Sequence, residues 1–422
     1  MLRHYFSGMK RVFLVLGLSL PAFILWNCVD QYVLCPRYTF ADPKPFQGSI
    51  IVNPYSNSNL SDVSVANFHA HSKSWSGLTN GKGSSADIYR RYDSLGHTFH
   101  AVSQYHHIDK FRSHELNYVP AYEHGYNIKK THQLVIGAKQ VFWKDFIFPQ
   151  TIHNKQEVLI NLAKDTSNIV VLNHPAIRDG YTTADLKKLH YYDYIELLNP
   201  SAQSIRHWDT ILSAGKRIFA MGNDDIHNVF NNDALGRFVT LVYGAKSNSA
   251  DMLKSLKHGA AAAVWLPQIP GEGLMEKRKR LDDIQHVLNT LEVTNNNFVL
   301  QLNKDVEEIR LITNKGGIKK TTKSTRELHA ELMPDETYWR VELLMHDDTR
   351  IFLNPLFRQS NEKFIARNEA AAYNVSRNPG EPTLALILGI FVMVLGSSGK
   401  RHLRMSSRTG KYAWFRQPPL TN

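Results

Sequence analysis

Residues Asn67–Ser72 read NFHAHS. On an extended chain, side chains two positions apart share a face, so His69 and His71 would aim two imidazoles at one spot. That is a metal-ligand arrangement. Further polar residues stand at the ends of other apolar stretches. Glu123 follows NYVPAY, His132 opens HQLVIGA and His174 closes NIVVLNH. Glu196 and Asn199 end YDYIELLN, and Asp224, Asp225 and His227 end RIFAMGNDDIH. Nine of the 20 histidines lie between His69 and His132. Any one alone is more often a surface or core residue; their shared position at strand ends is what points to a site. The two cysteines, Cys28 and Cys35, form no CxxC pair, so metal ligands would have to be His, Asp and Glu. In an oxidising compartment the two thiols could pair with each other.

The elements that would position these groups can be read from the patterning. From Val63 to about Leu266 the chain alternates short apolar runs with helical signals. VSVANFHA, HAVSQY, NYVPAYEH, HQLVIGA, NIVVLNH, YDYIELLN, RIFAMGN and RFVTLVYG read as strands. Ser84-Ser85 can cap a helix ending at Gly96, and Ser249 one ending at Gly259. Strand–helix alternation on this scale predicts a parallel α/β fold of barrel type, over residues 40–270, with reacting groups at the C-terminal strand ends. A helix is expected over 272–291. From Val293 the pattern changes to NNFVLQLN, EIRLITN, YWRVELLM and TRIFLNP with turns between them. This predicts a small all-β, sandwich-like domain over 293–358.

Charge separates the tails from the body. The 422-residue chain carries 50 basic and 38 acidic residues, a formal +12. Nine of the basic residues lie in the tails 1–11 and 399–422, which hold no acid; without them 41 basic residues face the same 38 acids. The nearly neutral body argues against nucleic acid as a partner. Two apolar runs, 12–29 and 383–398, sit just inside the basic tails. The first matches the roughly 17–25 residues of a membrane span and the second is shorter. The positive-inside rule then places both termini in the cytoplasm and the domains between the spans outside it. A cleaved signal peptide is the competing reading of the first run, but no A-x-A-like site follows it.

Taken in order, FHAHS, YEHGYN, THQLVIG, VVLNHP, IELLNP and GNDDIH resemble the PHP (polymerase and histidinol phosphatase) domain, over about Val63–Val264. The later TYWRVELLMHDDTRIFLNPLFR resembles the β-domain that follows some membrane-linked PHP proteins. The resemblance implies a distorted (β/α)7 barrel followed by the β-domain, flanked by two transmembrane helices. By motif, His69, His71, Glu123 and Asp225 would hold one divalent ion. Glu123 would bridge to a second, completed by His132 and His174. His227 would complete the cluster or belong to a third site. Imidazole and carboxylate suit Zn, Mn or Fe. Two such ions acidify a shared water and clamp an in-line displacement, with Glu123 and Asp225 as the catalytic carboxylates.

The resemblance further implies a phosphoesterase acting on a phosphomonoester or small nucleotide. Arg178, just past NHP, is the candidate phosphate contact, with Lys73 and Arg237 as further cations nearby. Asp224 is the candidate for orienting a ligand. One departure stands out. The family has an Asp–His pair at the end of the second strand, where this chain has Gln104 and Tyr105, with His106 and His107 one or two residues beyond. It leaves the third metal site open and motivates the alternative of a catalytically degenerate barrel that binds or builds structure outside the cytoplasm. A hydrolase of C–N or C–O bonds is a further reading.

Overall fold

The computed structural model describes residues 17–75, 81–360 and 375–378. They fall into two compact units, one of Met1–Arg37 with Arg377–Asn422 and one of Tyr38–Ser376. In the first unit a helix, α1, runs over the described residues 17–29 and passes into a π turn, Asp30–Leu34. Leu18, Leu20, Phe23, Ile24, Leu25 and Trp26 are exposed on it. No helix among the described residues is long and apolar enough to cross a membrane. The run expected to span at 12–29 is described only from Gly17 onward. The run at 383–398 and both basic tails lie outside the described residues. Cys28 and Cys35 are both free thiols, so the disulfide open to them is not formed.

Past β1 (Arg37–Phe40), the second unit follows the order β2 (Ile50–Val52), β3 (Val63–Asn67), α2 (Ser85–Ser94), β4 (Phe99–His100), β5 (Ala121–His124), β6 (Gln133–Ile136), α3 (Ile152–Leu162), β7 (Ile169–Leu172), α4 (Thr183–Leu186) and β8 (Tyr194–Asn199). Then come β9 (Ala202–Gln203), α5 (Ile205–Ser213), β10 (Phe219–Gly222), β11 (Phe238–Tyr243), α6 (Ser249–His258), β12 (Ala261–Trp265) and α7 (Leu274–Gln285). The remainder is β13 (Leu288–Thr294), β14 (Asn297–Thr313), β15 (Gly317–Glu331), β16 (Tyr338–Leu344), β17 (Arg350–Leu353) and β18 (Leu356–Gln359). The protein is thus mixed α/β. Each stretch read as a strand between 63 and 244 holds one, except HAVSQY, which shares only His100 with β4.

Local chemistry accounts for the elements. IVVL of β7 and YIELLN of β8 are buried along their whole length, as strands covered on both faces must be. Reciprocal side-chain caps start α2 (Ser84 with Asp87), α3 (Thr151 with Asn154) and α4 (Thr182 with Asp185), each satisfying otherwise orphaned amides. α5 buries Trp208, Ile211 and Leu212, one stripe of a 3.6-residue period. The cap of α6 is Asn248, one residue before the expected Ser249, and its end at Gly259 takes the expected left-handed conformation.

The strands from β2 to β18 form two sheets. The smaller has the order β10-β8-β7-β6-β5, with β9 beside β8. The larger runs β13-β14-β16-β17-β12-β11-β3-β4, with β15 on β14 and β2 reached through β18. The pairing departs from the expected parallel arrangement. β3–β4, β7–β8 and β8–β10 are parallel, but β5–β6, β6–β7, β3–β11 and β11–β12 are antiparallel. The link between β5 and β6, Gly125–His132, is too short for the dozen or more residues a parallel crossover takes. Both edges of the smaller sheet meet the larger one. Tyr105 bridges Glu123 in parallel register, carrying the β4 chain onto β5. Opposite, the Gly222 N–H donates to the Thr240 hydroxyl, which donates to the Gly222 carbonyl, and the Phe68 N–H donates to Asn223 Oδ1. Strands from both sheets therefore surround one interior.

Beyond α7 two expectations change. The helix stops at Gln285, and Leu288–Thr294 is a strand on β14, in which an irregularity between Leu288 and Thr290 lets both Leu288 and Leu291 be buried. β14 is a single long strand, and β15, mostly exposed Lys and Thr, pairs along it. β17 pairs with β12 from Ala262↔Leu353 to Trp265↔Arg350, so the 40–270 and 293–358 regions share one sheet. They also share a core, in which Val65, Val239 and Leu241 join Phe298, Trp339 and Val341.

A buried ion pair ties β16 to α5. Arg340 is 2% exposed; its Nε donates to Asp209 Oδ1 at 2.7 Å and its Nη2 to Oδ2 at 2.8 Å. Asp209→Ala leaves that guanidinium with Glu342 as its remaining carboxylate partner, and the expected cost is roughly 1–3 kcal/mol, read from chemical denaturation. A loss under about 1 kcal/mol would mean the pair does not hold the two regions together.

Candidate metal centre

Seven of the side chains singled out in the sequence come together inside the ring of strands. His69 and His71 leave the end of β3, Glu123 sits in β5, His132 precedes β6, His174 follows β7, and Asp225 and His227 follow β10. Their donor atoms form three overlapping groups: His69, His71 and Glu123; Glu123, His132 and His174; and His71, Asp225 and His227.

The tightest convergence involves four atoms. His69 Nε2 and His71 Nε2 are 3.1 Å apart. Glu123 Oε2 is 3.4 and 3.2 Å from them, and Asp225 Oδ1 is 3.3 Å from each. Ligands about 2.0–2.1 Å from a tetrahedral ion stand roughly 3.3–3.4 Å apart, so the spacing is that of a ligand shell. Glu123 Oε2 and Asp225 Oδ1 are buried and accept no hydrogen bond. A buried carboxylate oxygen without a donor is costly, and a cation between these atoms removes the cost. The donors present therefore fit a divalent metal.

The other oxygen of Glu123 faces a second group. His132 Nδ1 lies 2.9 Å and His174 Nε2 3.6 Å from Oε1, which also accepts from Asn173 Nδ2 at 2.9 Å. Glu123 thus splits its oxygens between two donor sets, as a bridging carboxylate does. His227 Nε2 stands 3.3 Å from Asp225 Oδ1, with its ring stacked 4.4 Å from that of His71. The cluster is buried except on this side, where the Asp225 and His227 side chains are 12% and 35% exposed.

Charge is balanced internally. Burial disfavours the ionised Glu123, but His132 and His69 outweigh it and hold its pKa well below the usual carboxylate range. Asp225 is held down in the same way by His69, His227 and His71. Burial pulls the His69 imidazole down, yet Asp225, Glu123 and Glu196 together raise it well above its ordinary value. His71 and His174 are also raised by their carboxylate neighbours against burial. At His132 burial prevails and the pKa is lowered.

Glu196 is the residue that sequence reasoning left undefined. It accepts from His69 Nδ1 at 2.9 Å and Asn223 Nδ2 at 3.1 Å on Oε1. On Oε2 it accepts from the His174 N–H at 3.0 Å and Asn199 Nδ2 at 2.9 Å. With Nδ1–H committed, the His69 Nε2 lone pair faces the cluster, the usual orientation of a ligating histidine. The available signal was an acid inside the otherwise apolar strand YIELLN. His174 (φ 30°) and Asp225 (φ 45°) occupy a region that non-glycine residues seldom take, a strain that tends to collect at functional sites. Gly125 at φ 127° is required nearby, since a Cβ there would lie 2.8 Å from His132 Cδ2.

Two other candidates stand apart. Asp224, expected to orient a ligand, points away from the cluster. It accepts from the Tyr92 hydroxyl and from the N–H groups of Gly236, Arg237 and Phe238, which pins the start of β11. Burial pushes its carboxyl up to about 6. Arg178 is exposed in a left-handed turn and donates to the Ile128 carbonyl at 3.3 Å, away from the donor atoms.

No family model matches this chain, and no curated protein matches it. Among solved structures it is similar to a two-domain protein from Bacteroides vulgatus that contains a predicted PHP-like metal-dependent phosphoesterase. The two share 13% identity over 81% of this chain and 99% of that one, with a TM-score of 0.39.

Metal binding here must displace protons from His69, His71 and His174, whose raised pKa values let protons compete above pH 6.5. Zn²⁺ affinity is expected to fall steadily from pH 8 to pH 6, with proton release on loading, measured by calorimetry in buffers of different ionisation enthalpy. Affinity independent of pH over that range would contradict this assignment.

Proposed function

We propose that this protein is a metal-dependent phosphoesterase that hydrolyses a phosphomonoester or a small nucleotide. The observation that carries the reading is Glu123, buried with one oxygen toward each of two imidazole groups and Oε2 without a donor. His69, His71, Glu123 and Asp225 would hold one Zn, Mn or Fe ion, and Glu123, His132 and His174 a second. His227 would complete the first site or hold a third ion with His71 and Asp225. Bound ions would supply an acidified water and a charge clamp for the transferred phosphoryl group. The chain's own contribution is orientation and exclusion. Glu196 fixes the His69 tautomer, Asn173 and Asn199 hold Glu123 and Asp225 by side-chain hydrogen bonds, and the strand ring keeps bulk water off the buried donors. Substrate would approach from the Asp225–His227 side.

With Mn²⁺ or Zn²⁺ present, the full chain is expected to hydrolyse p-nitrophenyl phosphate, and Glu123→Ala to lose at least 100-fold in kcat/KM, since it removes a ligand from both sites. Equal turnover by the two proteins would overturn the proposal. The alternative is a degenerate barrel that binds rather than turns over. It is motivated by Gln104, which donates to the Ser72 carbonyl at 2.5 Å instead of facing the cluster. Bound metal without turnover of any phosphate ester would favour it.

We further propose that the runs 12–29 and 383–398 tether the protein to a membrane, both termini cytoplasmic and the site outside. The support is their apolar length and the acid-free basic tails beyond them. Protease added to intact cells is expected to cut the 40–358 region and spare a tag at either terminus. A cut tag with a protected body would contradict that orientation.

A further inference from the structure

Of the residues 104–107, where a ligating pair was expected, only Tyr105 faces the donor cluster. Gln104 is bonded to Ser72. His106 Nε2 accepts the Gly125 N–H at 3.1 Å, and its Nδ1 lies 3.2 Å from the Phe142 carbonyl. His107 is exposed, edge-on to Trp75. Tyr105 instead lies with its ring 4.9 Å from that of His71, inclined by 28°, and 5.5 Å edge-on to His132. It therefore spans the two donor groups that Glu123 joins, and burial together with the nearby Glu123 and Asp225 carboxylates raises its pKa.

The position is held by backbone rather than by chance packing. Tyr105 bridges Glu123, the Glu123 N–H donates to the Gln104 carbonyl at 3.1 Å, and the His106 N–H donates to the Glu123 carbonyl at 2.8 Å. The Tyr105 carbonyl accepts the Trp75 indole N–H at 3.1 Å. While His69, His71, Glu123, His132 and His174 are buried, Tyr105 is only partly so. Its ring is the partly exposed neighbour of both donor groups. A phenol is protonated at neutral pH and donates one hydrogen bond, and a bond to a charged oxygen is roughly twice as strong as a neutral one.

We propose that Tyr105 is a catalytic residue whose hydroxyl donates a hydrogen bond to a phosphoryl oxygen held over the cluster. The proposal rests on the phosphoesterase reading and assigns a role to the residue that departs from the expected ligand pair. No proton is transferred in this role: the O–H stays on tyrosine and strengthens its bond as negative charge builds on the oxygen.

Tyr105→Phe tests it, because the ring contacts with His71 and His132 are kept and only the hydroxyl is lost. On the metal-loaded full chain three quantities are measured: metal content, affinity for inorganic phosphate by calorimetry, and kcat/KM with p-nitrophenyl phosphate. Metal content is expected to be unchanged, phosphate affinity to fall about tenfold, and kcat/KM to fall roughly 10–100-fold, below the 10²–10³ seen when an oxyanion-hole donor is removed. Loss of a metal equivalent would make Tyr105 a ligand and overturn the proposal. So would unchanged phosphate affinity and turnover, which leaves the phosphoesterase reading standing. If phosphate binding weakens as expected but neither protein hydrolyses any ester, the Tyr105 contact holds and the phosphoesterase reading fails. Wild-type protein that loads metal yet does not bind phosphate overturns the contact, and its ester turnover then decides the reading separately.

Discussion

A carboxylate taken out of water needs donors or cations for both oxygens, and Glu123 has hydrogen-bond donors on one side only. Oε1 accepts from Asn173 and adjoins His132, whereas Oε2 faces His69 and His71 with no hydrogen bond. Asp225 Oδ1 is in the same position. Without a metal, the imidazoles must serve as cations, which is why His69, His71 and His174 are raised while both carboxylates are lowered. Protons and divalent ions thus compete for one set of atoms. The donor set fits a cation, and a metal bound only by the native state would add to stability in proportion to the logarithm of its concentration.

That constraint explains the architecture around it. Two sheets contribute strands to one ring, so that residues from 69 to 227 meet although they span nearly half of the unit's sequence. The ring closes by side-chain bonds from Thr240 and Asn223 where a ladder is interrupted. Asn223 donates from its amide nitrogen to Glu196 as well, so closure of the ring and orientation of His69 share a residue. Asp224, next along the chain, turns outward to fasten the start of β11, and Asp225 turns inward through a strained backbone angle. Three consecutive residues therefore serve closure, scaffold and site.

Much of this was legible in the sequence, and the failures have physical causes. The seven clustered residues could be named because each ends or begins an apolar stretch, and strand ends gather in space. Glu196 was noticed but not assigned, since an acid within a strand gives no sign of which histidine it will meet. Arg178 and Asp224 were placed by sequence proximity alone, and a one-residue change in direction was enough to turn Asp224 away. The antiparallel pairs were missed because strand–helix alternation suggests crossovers, while the length of the β5–β6 link carried the contrary information. β15 was missed because its Lys- and Thr-rich pattern has little apolar period; it is defined by pairing with β14, a tertiary fact. The start of β13 was read as helix because the spacing of Leu288 and Leu291 fits a helical period, and only a register irregularity in the strand buries both.

X-ray absorption at the metal edge of the Zn²⁺-loaded full chain tests the central claim most directly. The account predicts a shell of only nitrogen and oxygen at about 2.0–2.1 Å, with the multiple scattering of several imidazoles and a metal neighbour at about 3.5–4 Å. A shell of water or buffer oxygens without imidazole scattering would contradict the idea that His69, His71, Glu123, His132, His174 and Asp225 hold a shared pair of ions.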